Sequence, residues 1–290
     1  MRRPDLSDLS GRRVFVTGAA SGIGEAVARD LVSQGAQLFL TDINRERLGS
    51  LTEDMDRTGA GAGKVCLAEA VDVSDYAAVG ALARKIHADF GSMDVVMNVA
   101  GIAAWGTVDR LEHRQWRAMV EVNLMGPIHV IEEFVPAMIA AGRGGHLVNV
   151  SSAAGLIGLP WHSAYSASKF GLRGVSEVLR FDLRRHGIGV SLVVPGGVET
   201  PLTDTLEIAG VNPENEQLKK LQRIFRRRAV SSESAAHHII EAVKRDRYLV
   251  YTSPDIRLIH GIQKFFPPGY VVAMRIMNRA ADRWLPAEPD

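Results

Sequence analysis

One cysteine in 290 residues, Cys66, excludes an intrachain disulfide framework. It lies in the apolar run K-V-C-L-A and reads as a buried structural thiol. A reducing compartment suits it, and the cytoplasm is the expected location. An excess of charge is missing too: 34 basic side chains stand against 33 acidic ones, so no overall field draws nucleic acid or an anionic membrane, and any such partner needs a local patch. There is no run of about 18 consecutive apolar residues, which argues against a spanning helix. The opening M-R-R-P-D-L-S-D-L-S carries two arginines with no apolar stretch behind them and is not expected to act as a secretory signal. No linker-like composition and no internal repeat interrupts the chain. Among the nine histidines no ligand cluster stands out; His237 and His238 are neighbours on one expected helix and point apart, so no metal is expected.

What is present is the composition of a globular protein, 46% hydrophobic and 23% charged. Short β-rich apolar runs alternate with longer amphipathic stretches, the pattern of right-handed βαβ units. Strands are expected at 13–17, 37–42, 64–68, 94–98, 146–151, 190–195 and 248–251, several apolar on both faces, as strands covered by helices on two sides must be. Between them, one helix ends at Gly35; another opens at the candidate N-cap Ser74 and closes at Gly91. The expected fold is α/β, a doubly wound parallel sheet of about seven strands (a Rossmann fold) with helices on both faces. One domain covers residues 1–253, with a helical extension over 254–290.

The segment V-F-V-T-G-A-A-S-G-I-G-E-A-V joins the first strand to the first helix. Glycines 18, 22 and 24 permit a sharp turn, close backbone approach to a pyrophosphate and tight helix packing, while the helix N-terminus offers N–H groups and a positive dipole end. Asp42, ending the second strand, stands where a carboxylate accepts ribose hydroxyls and repels a 2′-phosphate, which selects NAD. Arg45 and Arg47 close by leave NADP as the less favoured cofactor. Further along, Tyr165 and Lys169 in Y-S-A-S-K share one helix face, the small residues between them leaving room for a cofactor. A phenol of pKa ~10 must fall by roughly 3 units, about 4 kcal/mol, to work as a base at neutral pH, and a fixed cation supplies that.

With T-G-x-x-x-G-x-G at 17–24, N-V-A-G at 98–101, S-S at 151–152, Y-S-A-S-K at 165–169 and P-G-G-V-E-T at 195–200, the chain resembles the short-chain dehydrogenase/reductase family over roughly residues 10–253. The resemblance implies an NAD(P) site built from Gly18, Ser21, Gly22, Ile23, Gly24 and Asp42, with Asp72 and Val73 near the adenine, Asn98, Ala100 and Gly101 along the fourth strand, and Pro195, Gly196, Val198 and Thr200 near the nicotinamide. It implies Tyr165 as general acid/base, Lys169 as the cation that also binds the nicotinamide ribose, Ser152 as the group orienting the substrate oxygen with Ser151 a bystander, and Asn123 as the holder of a relay water. Val99 departs from the family, which often has a second Asn there.

The family places a variable substrate lid at about 199–229. Here Leu218, Leu221, Ile224 and Phe225 form an apolar stripe, and Lys219, Lys220, Arg223 and Arg226 to Arg228 a basic run. Leu156, Ile157, Leu159, Trp161 and Trp105 suggest an apolar substrate. The expected activity is hydride transfer between NAD(H) and a hydrophobic secondary alcohol or ketone of steroid, retinoid, terpenoid or acyl type. Two alternatives stand beside it: an NADPH-dependent ketoreductase for 3-oxoacyl thioesters or other carbonyls, and a non-catalytic dinucleotide-binding sensor or scaffold. A homodimer or homotetramer is expected. The extension, two amphipathic helices broken at Pro267-Pro268-Gly269, is expected to pack on the protein or a partner subunit; a peripheral membrane contact through it or through the basic lid is the competing reading.

Overall fold

The computed structural model describes residues 4–58, 62–203, 207–212, 215–216, 219–220, 223 and 229–284. Seven strands form one parallel sheet: β1 (Arg13–Thr17), β2 (Gln37–Asp42), β3 (Lys64–Ala70), β4 (Val95–Asn98), β6 (Gly145–Val150), β7 (Ile188–Val194) and β9 (Leu249–Tyr251), ordered β3-β2-β1-β4-β6-β7-β9. All seven expected strands are present. A two-residue parallel ladder, β5 (Ala104–Trp105) with β8 (Glu207–Ile208), was not foreseen. Strand order reverses between β1 and β4, so a crevice opens beyond their carboxyl ends, where such sheets bind ligands.

Each strand feeds two cores because side chains alternate across the sheet. From β1 and β2, Val14, Val16, Leu38 and Leu40 meet Val27 and Leu31 of helix α1 (Gly22–Ser33) and Ile239 and Ile240 of the helix Ser232–Lys244. Phe15 and Phe39 point the other way, joining Val79, Leu82 and Ile86 of α3 (Tyr76–Phe90) and Phe134 of α5 (Gly126–Ala141). Phe15 stacks on Phe134 at a centroid distance of 4.2 Å, and truncating either side chain removes about 3–5 kcal/mol. The continuous helical stretch His113–Ala141 is long and apolar enough by composition to cross a bilayer, but Val130, Phe134, Val135 and Met138 are spent in this second core.

Helix α3 corrects one expectation. Both the backbone N–H and the hydroxyl of Ser74 go to Asp72 Oδ1, so Asp75 caps the helix instead, accepting from Ala78 N–H at 3.0 Å. Between α4 (His113–Val120) and α5, residues Glu121–Met125 make a π turn. After β9, the helices Pro254–Phe265 and Pro267–Trp284 lie side by side. Their inner residues Ile259 and Tyr270 pack with Leu156, Leu192 and Val194. Cys66 is half-buried against the second core, and burial pushes its thiol pKa up.

Candidate active site

The crevice begins at the glycine loop. Gly18 turns at φ +66°, a conformation L side chains rarely adopt, and a Cβ there would lie 2.7 Å from Ala100 Cα. Ser21 is extended and its side chain does not cap α1. The first-turn N–H groups at Gly22, Ile23 and Gly24 are therefore without a side-chain acceptor, which suits a pyrophosphate. Asp42 is tied to the same loop: its Oδ2 accepts from Ala20 N–H at 2.9 Å and its Oδ1 from Asn44 N–H at 2.9 Å. A carboxylate has about four acceptor positions, so two stay available for ribose hydroxyls. Residues and dinucleotide fit on these grounds.

The next wall is the end of β4. Thr17, buried at the end of β1, accepts from both Val99 N–H (3.0 Å) and Ala100 N–H (3.1 Å). This hydroxyl, unnoticed in the sequence, fixes Ala100 and Gly101 across the loop. The side chain of Asn98 turns inward, donating to Asn149 Oδ1 at 2.9 Å, and Asn149 in turn donates to Ser176. Its amide therefore braces β4 against β6 and α6 (Ser163–Asp182) rather than lining the crevice. Val73 is buried, and its carbonyl meets His129 Nδ1 at 2.9 Å. From the far side, Pro195 accepts from Ala153 N–H, Val198 is bridged to Val230, and Thr200 lies against Gly22.

At the centre, α6 presents Tyr165 and Lys169 within its first turns, held by the buried stripe Ala164, Ser168, Leu172 and Ser176. Ser152, just beyond β6, hydrogen-bonds the Tyr165 phenol, whereas Ser151 donates to Lys169 O at 3.0 Å and faces inward. Lys169 is 4% exposed; its Nζ donates to Val150 O at 3.1 Å and lies 5.8 Å from the Tyr165 ring centroid. Burial draws its pKa down to about 8. The phenol differs from expectation: burial pushes its pKa up, and only the Ser152 hydrogen bond pulls it down.

Asn123 is fully buried in the π turn. It grips the backbone of Ile102 in both directions, accepting from its N–H and donating to its carbonyl, each at 2.9 Å, and also donates to Ser168 at 3.3 Å. The wider turn aims the amide at the 98–102 loop, a use of π geometry common at functional sites. Gly101 sits against both partners: a methyl there would come within 3.0 Å of Asn123 Oδ1 and 3.3 Å of Lys169 Nζ.

Aromatic groups flank Tyr165. The ring of His162 lies 6.2 Å from that of Tyr165 and 4.2 Å from Trp105. Its Nδ1 meets Pro160 O at 2.6 Å, and burial pulls its pKa down to about 4, so it is neutral at pH 7. Trp105 and Trp161 pack with Ile208 and Val211. Leu156 and Ile157, expected at the pocket, are core residues packed against Leu192 and Val194. Trp161 adopts φ +64°, and its Nε1 donates to Asp282 at 3.2 Å; Tyr270 donates to Gly158 O at 3.0 Å. Glu207 accepts from Arg114 (2.7 Å) and Gln115 (2.6 Å) of α4. Leu218, Leu221, Ile224, Phe225 and Arg226 to Arg228 lie outside the described residues. Among the described residues no three His, Cys, Asp or Glu side chains group as metal ligands.

A glycine loop leaning on an acidic strand end, facing a Ser–Tyr–Lys set across the switch point, defines a nicotinamide-nucleotide oxidoreductase. Its sequence matches the short chain dehydrogenase profile over residues 12–209, and the chain belongs to that family. SadH of Mycobacterium tuberculosis is 32% identical over 282 residues, covering 90% of this chain and 99% of its own. A short chain dehydrogenase/reductase from Burkholderia phymatum, solved in complex with NAD, superposes with a TM-score of 0.77 at 30% identity, over 89% of this chain and 95% of that one. A gluconate 5-dehydrogenase from Burkholderia cenocepacia, solved with NADP and tartrate, gives 0.73 at 25% identity, over 88% and 98%. Oxidoreductase chemistry at a CH–OH group or carbonyl follows from the family.

Proposed function

We propose that the protein transfers hydride between NAD(H) and an apolar secondary alcohol or its ketone. The reading is carried by one observation: Tyr165, with the Lys169 ammonium 5.8 Å from its ring centroid and Ser152 acting on its phenol, lies in the crevice that also holds the glycine loop and Asp42. A nicotinamide nucleotide held by the glycine loop and Asp42 would supply or accept the hydride. Tyr165 takes the hydroxyl proton in oxidation and returns it in reduction, while Ser152 orients the substrate oxygen. At neutral pH Lys169 is still charged and faces the phenol, and its field, to which an oxidised nicotinamide would add, offsets burial of the phenolate. Asn123 keeps the 98–102 loop beside Lys169, where a water can relay the proton.

Asp42 supports NAD over NADP, because a 2′-phosphate would meet a carboxylate already fixed by two backbone N–H groups. Exposed Arg45 and Arg47 just beyond it favour the second reading, an NADPH-dependent ketoreductase of 3-oxoacyl thioesters or other carbonyls. Trp105, Trp161, Ile208 and Val211 beside His162 support an apolar substrate. Phe170, Val178 and Phe181, exposed on α6, support a homodimer or homotetramer, and the cytoplasm is the proposed location. Fluorescence titration with NADH and NADPH tests the cofactor: NADH binds at least about tenfold more tightly, and Asp42→Ala narrows the gap to about threefold or less. Tighter NADPH binding by the wild type contradicts the assignment.

A further inference from the structure

We propose that the C-terminal helix pair, Pro254–Phe265 with Pro267–Trp284, docks on the surface of a bilayer containing anionic phospholipid. Of the fourteen large apolar side chains that stand exposed among the described residues, seven lie in this pair, Leu258, Ile262, Phe265, Val271, Val272, Ile276 and Met277, and an eighth, Phe266, joins the two helices. On the first helix, Leu258, Ile262 and Phe265 fall at helical spacing on one stripe. With Pro254, Phe266 and Arg257 they line an open groove of about 520 Å³. The opposite side is already used: Ile256 is buried, Ile259 and Tyr270 pack in the core, Tyr251 Oη meets His260 Nδ1 at 2.8 Å, and Asp282 accepts from Trp161. The exposed face is thus not a core face turned outward.

Charge selects the occupant. Arg257, Lys264, Arg275, Arg279 and Arg283 are exposed on the pair, against Asp255 and Asp282, and among the described residues none of the five cations forms an ion pair. A second copy meeting this face across a two-fold axis would set these cations against their own duplicates. Anionic headgroups would pair them while the apolar stripe sinks ~5–10 Å into the boundary with the acyl chains, and Arg and Lys stems reach back to the headgroups. The proposal does not depend on the reaction, because binding is read without cofactor or substrate.

The test is co-sedimentation of the full chain with vesicles of phosphatidylcholine alone or mixed with phosphatidylglycerol, at low and high salt. Binding to the mixed vesicles exceeds that to phosphatidylcholine by more than about tenfold and falls with salt. The double variant Phe265→Glu/Ile276→Glu, whose sites are exposed, loses it by about tenfold with an unchanged melting temperature, and Arg275→Glu/Arg279→Glu loses the preference for phosphatidylglycerol. Absence of binding, equal binding to both vesicles, or full binding by the double variant overturns the proposal. So does self-association of the wild type that Phe265→Glu/Ile276→Glu abolishes, which would assign the face to a second copy.

Discussion

The crevice around Tyr165 and the C-terminal helix pair are built on opposite terms. In the crevice three polar side chains are each held from two sides: Thr17 by two N–H groups, Asp42 by two more, and Asn123 by both polar groups of Ile102. On the helix pair the outward side chains are apolar or cationic and exposed, and the tethers are few: Trp161–Asp282, Tyr270–Gly158 and Tyr251–His260. In the first region each of these contacts is specific, so one substitution is expected to have a large effect. In the second, what matters is the sum of apolar area and charge, so single changes have graded effects.

The contrast is sharpest at Lys169. Lys169→Met removes the cation beside Tyr165, and turnover falls by about 10²–10⁴-fold, measured as NADH formation with an alcohol that the wild type oxidises. Stability moves the other way. The folded pKa of about 8 lies below the ordinary 10.5, so from pH 8 to 10.5 the unfolded chain binds more protons than the folded one, and wild-type stability rises across that window. At pH 7 the buried ammonium costs the full penalty, less its bond to Val150 O, and Lys169→Met is more stable by about 2 kcal/mol in denaturant titration. That advantage shrinks above pH 8. A variant that melts lower at pH 7 would mean that the lysine contributes more to the fold than its single hydrogen bond indicates.

The smallest effect belongs to the other region. Asp282→Ala frees the Trp161 indole, whose left-handed backbone is then less constrained, while leaving both helices in place. The melting temperature changes by about 2 °C or less, because an exposed hydrogen bond contributes only about 0.5–1.5 kcal/mol, and the KM of an apolar substrate shifts by about threefold. A loss comparable to that of Lys169→Met would erase the distinction drawn between the two regions.

The same contrast explains what could be read from the chain beforehand. All seven strands are legible because V-V-M-N or V-S-L-V-V must be covered on both sides, and the glycine loop, Asp42, Ser152, Tyr165 and Lys169 stand out as candidates because the proposed chemistry allows few substitutes. The π turn was not, since E-V-N-L-M has the look of ordinary helix; only the reach of Asn123 to Ile102 shows why the turn widens. Thr17 looked like one more strand residue. Ser74 has the residue type and place of a cap, but its hydroxyl goes to Asp72, a contact set by loop geometry that the sequence does not display. Leu156 and Ile157 were placed at the pocket by their position after Ser152, while their actual direction is decided by β7 and the terminal helices. Two-residue strands such as β5 and β8 are too short to leave a periodic signal.

The most direct test is Tyr165→Phe, which deletes one oxygen and leaves the ring, Lys169 and the glycine loop in place. The account predicts that NADH binds within about twofold of wild type while kcat/KM for the best alcohol in a panel falls by about 10²–10⁴-fold. Turnover within about tenfold of wild type would contradict the assignment of Tyr165 as the proton-transferring group.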